Sequence, residues 1–105
     1  MDDPFRRFFL RGEIDVANAD GLATTLRVAA QNGDLVVDCM DLEFIDAAGI
    51  RALTTVHGEL AQQGRHLHLV HPTPTLARVL EILDLSYLLK PVSEATPPEG
   101  VSVPL

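Results

Sequence analysis

Apolar residues along this chain fall into short runs and helical stripes that follow one another in alternation. Phe5 to Gly12 (FRRFFLRG) is apolar enough for a first strand, and its arginines give it an edge position or one solvated face. Gly12-Glu13-Ile14-Asp15 interrupts that pattern. From Asp15 or Asn18, either able to cap a helix, Leu22, Leu26 and Ala29 or Ala30 recur at helical spacing. Asn32-Gly33 supplies the stop, because glycine accepts the left-handed backbone that a helix end favours. Leu35-Val36-Val37, bounded by Asp34 and Asp38, reads as a strand buried on both faces. Phe44-Ile45 closes another short run at Asp46. Beyond Asp46 the period turns helical: Ile50, Leu53, His57, Leu60 and Ala61 share a stripe, and Gln62-Gln63-Gly64 ends it.

His66-Leu67-His68-Leu69-Val70 alternates as a half-buried strand does. Thr73 then caps a helix with Pro74 in its first turn and Leu76, Val79, Leu80 and Leu83 on its apolar face. Tyr87-Leu88-Leu89 predicts a last strand. Strand and helix in this order imply an α/β fold: a single domain over residues 1–90, with three or four helices on a mixed, mostly parallel sheet of four or five strands. Residues 91–105 carry four prolines and read as a flexible tail.

Composition narrows the function. A chain of 105 residues fits one domain. Its fifteen acids against eight bases give a net charge of −7, which repels phosphate backbones and argues against a nucleic-acid partner. No run approaches the roughly 20 apolar residues that span a bilayer, so no direct membrane insertion is expected. Met1-Asp2-Asp3-Pro4 has none of the basic start of a secretory signal, and a cytoplasmic address is expected. The single cysteine, Cys39, excludes an internal disulfide and a multi-cysteine metal site.

Five acids (Asp34, Asp38, Asp41, Glu43, Asp46) and no base lie between residues 34 and 46. They lead into Asp46-Ala47-Ala48-Gly49, where small residues leave a helix N-terminus open to close approach. Counted around that helix, Ala48, Ala52 and Val56 face outward with Thr55 and Glu59. They form a small apolar strip beside the acidic turn, bordered by Arg51, where a solvated helix carries Lys or Glu. That strip is a candidate docking surface. The parts of an active site are missing: no G-x-S-x-G, no phosphate-binding glycine loop, and no third ligand beside His66 and His68. No enzyme, cofactor or metal is expected.

Three segments carry a family resemblance. Leu10-Arg11-Gly12-Glu13-Ile14-Asp15, Leu35-Val36-Val37-Asp38 and above all Phe44-Ile45-Asp46-Ala47-Ala48-Gly49-Ile50 are similar, in order and spacing, to motifs of the STAS family. That family includes sulfate-transporter domains and anti-sigma factor antagonists. The resemblance covers roughly residues 8–90 and implies a STAS-like fold. It further implies a protein partner: an anti-sigma factor with a histidine-kinase-like ATPase fold, whose capture frees a sigma factor. In such members the serine after the loop Asp is phosphorylated, which switches binding off. Ala47 stands at that position here, so the usual switch is absent. The partner-binding residues expected are Asp15, Asp46, Ala47, Ala48, Gly49, Ala52 and Val56. Alternatives are a regulatory subunit of an ABC-type lipid transporter ATPase and a scaffold in a larger signalling assembly.

Overall fold

The computed structural model describes residues 6–31 and 33–89. The chain runs through β1 (Arg6–Phe9), β2 (Gly12–Ile14), α1 (Ala19–Ala29), β3 (Leu35–Asp38), β4 (Leu42–Ile45), α2 (Ala47–Gln62), β5 (Leu67–Val70) and α3 (Pro74–Ile82), then a 3-10 turn at Ser86–Leu88. The strands form a three-stranded sheet of order β1-β3-β5 and a two-stranded sheet β2-β4. Every pairing between these strands is parallel, and the five strands and three helices bear out the expected α/β fold, with its mostly parallel sheet divided into two parts.

The division into two sheets comes from two simultaneous bends. β1 continues through Leu10 and Arg11 into β2, and β3 continues through Cys39–Asp41 into β4. The Leu10 N–H donates to the Asp38 carbonyl and the Gly12 N–H to the Asp41 carbonyl, which holds the two crossings together. Gly12 makes its bend at φ 72°, a conformation costly for a residue with a Cβ. The interruption expected at Gly12–Asp15 is therefore a strand, and the register shifts beside Gly12.

β3 lies between β1 and β5 and is buried at all four positions, as its unbroken apolar run requires. Leu26, Leu35, Val37, Leu53, Val56, Leu67, Leu69, Leu80 and Leu88 form the centre of the core. Helix ends follow local chemistry in part. Thr73 caps α3, accepting from the Leu76 N–H at 3.1 Å, with Pro74 at its start. Gly64 (φ 74°) closes α2, with the Arg65 N–H returning to the Leu60 carbonyl. α1 ends otherwise than expected: Gly33 is not left-handed, and the Arg65 guanidinium donates to the Ala30 carbonyl instead.

Two further expectations are corrected. Tyr87-Leu88-Leu89 is not a strand; a 3-10 turn buries Leu88, and only Leu89 bridges β5, opposite Leu69. Ala61 is exposed rather than in the core. The tail at 91–105, and with it the boundary at residue 90, lies outside the described residues.

Candidate functional site

Parallel pairing brings the two acidic turns together. Ile14 of β2 lies opposite Ile45 of β4, so Asp15 and Asp46 follow adjacent strands at their C-terminal ends, where α/β folds assemble their sites. The Asp46 N–H donates to the Ile14 carbonyl at 3.0 Å, which fixes the second turn on the first. The Asp46 carboxylate accepts from the Gly49 N–H at 3.1 Å and caps α2. Asp15 is half-buried; its carboxylate accepts from the Ala17 N–H at 2.9 Å. Asn18 braces the same turn, its amide donating to the Glu13 carbonyl and its side-chain oxygen accepting from the Asp15 N–H. Both acids thus spend one oxygen on their own turns.

The small residues that follow have three different settings. Ala47, the first residue of α2, is exposed, and Ala48 is half-buried against the core. Gly49 is buried, and a Cβ there would lie 2.5 Å from Cγ1 of Ile45 and 2.8 Å from Cγ2 of Ile14. Gly49 is small so that α2 can seat on β2 and β4.

Ala52 and Val56 are likewise buried, which corrects their placement on an outward strip. α2 buries Ala52 and Val56 as well as Ile50, Leu53 and Leu60, and it packs against α1 as well as against β4 and β5. A helix held on two sides buries a wider arc than one stripe contains. The outward residues of its first turns are Ala47, Arg51 and Thr55, while Glu59 is tied to α1 by a two-pronged pair with Arg27 at 2.8 and 3.0 Å. That hydrogen bond holds the Glu59 carboxyl below its ordinary value.

Between α1 and α2 the alanines leave an open cleft of about 470 Å³, floored by Ala19, Ala23, Ala48 and Ala52 and rimmed by Asp20, Arg27 and Arg51. Val16, 79% exposed, stands at its mouth beside Asp15. Sequence reasoning missed Val16, although a β-branched apolar residue inside a polar turn is a legible signal.

A second polar cluster, also missed, lies where β1, β3 and β5 end. Asp38 is 2% exposed and accepts from Arg7 Nη2 at 2.9 Å and the Met40 N–H at 3.0 Å, with His71 Nδ1 3.0 Å away. Burial by itself would raise its carboxyl; the Met40, His71 and Arg7 contacts outweigh that and hold it below the ordinary value. Its neighbour Cys39 is fully buried, and burial pushes its thiol up to about 12. The rings of His66, just before β5, and His68, within it, stack 5.7 Å apart. Among the described residues no three metal-binding side chains converge, and no helix is long and apolar enough to cross a membrane.

Known proteins supply the comparison. The solved structure of the anti-sigma factor antagonist SpoIIAA in its unphosphorylated form has the same fold, with a TM-score of 0.72 at 20% identity over 90% of this chain and 88% of that one. No curated protein sequence matches. The model of the STAS domain matches residues 2–96, which includes both acidic turns and the start of α2, and the chain belongs to the STAS domain family.

Proposed function

We propose that this chain is a protein–protein interaction module, not an enzyme, and that it binds a kinase-type anti-sigma factor through the surface around Asp46. The observation that carries this reading is the exposed Ala47 at the first position of α2, directly after the capping Asp46. Ala47 stands where the motif that the sequence resembles has its phosphoserine. A phosphate would add about −1.5 to −2 charge to a surface that already carries two carboxylates. Without a hydroxyl at that position the surface keeps its binding-competent charge in the presence of kinase and ATP. Asp15, Asp46, Ala47 and Ala48 contribute directly. Gly49, Ala52 and Val56 act from beneath, holding α2 against β4 and α1.

The test mixes the chain with its cognate anti-sigma factor and ATP, then follows complex formation and phosphate incorporation. Wild type is expected to form a stable complex and take up no phosphate. Ala47→Ser is expected to be phosphorylated and to lose the complex. A wild-type chain that is phosphorylated elsewhere and released would overturn the locked-on reading. Capture of a transporter ATPase in place of an anti-sigma factor would overturn the choice of partner.

A further inference from the structure

The cleft between α1 and α2 has two unlike ends. Both helices connect parallel strands, so α1 and α2 run in the same direction. Toward their C-terminal ends Arg27 and Glu59 bridge the two helices with the two-pronged pair at 2.8 and 3.0 Å. Asp20 lies seven residues before Arg27, and Arg51 eight before Glu59. At 1.5 Å per residue these are steps of about 10 and about 12 Å back along the two helices, so Asp20 and Arg51 stand at the same height on facing walls. Both are exposed, and both line the cleft. They do not pair with each other. Among the described residues Arg7, Arg11 and Arg27 each have a carboxylate within 4.0 Å, and Arg51 has none. Asp20 acts only at a distance, through its field on Arg27.

One end of the cleft is therefore bridged, and the other holds opposite charges apart above the methyls of Ala19, Ala23, Ala48 and Ala52. An occupant of that end must bring an acid for Arg51, a base for Asp20 and an apolar group for the floor. A small free ion does not meet these needs, because exposed charges hold one another weakly in water. A second copy of this chain does not meet them either. A two-fold contact sets cleft against cleft, and two hollows leave the alanine floor uncovered. A ridge on a different protein supplies all three groups at once. Ala48 lines the cleft and also belongs to the surface around Asp46, so one partner can cover both.

Resting on the reading that this chain docks an anti-sigma factor, we propose that the partner seats in this cleft an apolar side chain flanked by an acid and a base, the acid on Arg51 and the base on Asp20. The two charges fix which way the ridge lies, since the reversed orientation sets acid against Asp20 and base against Arg51.

Charge swaps test this through the affinity for the cognate anti-sigma factor. Arg51→Glu and Asp20→Lys are each expected to weaken the complex about tenfold, more at low salt than at high. The double variant, in which both charges are reversed, is expected to bind weakest, about a hundredfold below wild type. Both side chains are exposed, so unfolding midpoints are expected to match wild type. Arg51→Gln and Asp20→Asn, which remove a charge without reversing it, are expected to show smaller losses. Recovery of wild-type affinity in the double variant would overturn the proposal, because the two residues would then serve each other, within one chain or between two copies. Single variants that bind as wild type does would also overturn it, while the docking surface at Ala47 would stand. A wild-type chain that binds no anti-sigma factor would instead overturn the docking reading itself, and this proposal with it.

Discussion

Single residues in this protein hold two turns in place before they present any surface, and Gly49 shows the order of priority. A methyl at Gly49 would meet Ile45 and Ile14 well inside ordinary contact distance, and both are anchored in the β2–β4 pair. Gly49→Ala therefore pushes α2 away from the sheet, an overpacking cost of about 1–3 kcal/mol. Urea or thermal unfolding measures it directly, and a variant as stable as wild type would contradict the packing account. The same residue marks a limit of sequence reading. The motif Asp46-Ala47-Ala48-Gly49 was legible as a strand-to-helix turn with a capping Asp, and Asp46 does cap α2. Whether a small residue is small for a partner or for its own core depends on what lies opposite. For Gly49 that is Ile45, four positions earlier, together with Ile14, 35 positions earlier, and no local pattern contains the second.

Elements were legible where their signal is local and hidden where it comes from a partner strand. α3 has its Thr-Pro start and buries Leu76 and Leu80 of its expected stripe, although Leu83 lies past its end and is exposed, and β5 has its alternation. β2 has three residues, one of them the left-handed Gly12, and exists because β4 pairs with it. Tyr87–Leu89 has strand-like residues but only one ladder contact, so it turns as a 3-10 helix. The end of β3 is held by charge. Asp38 ties β1 through Arg7 and the turn after β5 through His71. Its carboxyl is held below the ordinary value in the folded chain, so folding favours the ionised form. That contribution is full at pH values above the unfolded carboxyl's value of about 3.9 and is lost as pH falls through the lower folded value. Asp38→Asn is expected to remove about 1–3 kcal/mol at pH 6 and less at pH 3, because protonation weakens the same contacts in wild type. Denaturant midpoints at the two pH values read the difference; an equal loss at both would assign the effect to packing instead of charge.

At the scale of the whole molecule, the fold joins its two sheets at one buried point, and the thiol of Cys39 sits there. β1, β3 and β5 all end around it: the Cys39 N–H donates to the Val70 carbonyl, and the Leu10 N–H meets the Asp38 carbonyl beside it. Cys39 is fully buried, and its thiol, pushed up to about 12, is almost wholly protonated at neutral pH. A reagent that needs the thiolate can reach it only when the junction itself opens. Because β2 and β4 begin from this junction and carry Asp15 and Asp46, opening there dismantles the proposed docking surface as well. Labelling of Cys39 therefore reports the population of the chain that has lost that surface. Under conditions where reclosing outpaces labelling, the rate in native buffer is expected to follow global stability. Gly49→Ala, placed at the far end of β4, should then accelerate labelling by the factor matching its stability loss, about 5- to 150-fold for about 1–3 kcal/mol. Acceleration by that factor makes the two sheets and α2 one cooperative unit. If labelling were unchanged while Gly49→Ala lowered the unfolding midpoint, the β2–β4 pair would open on its own, and the docking surface would come and go independently of the core beneath it.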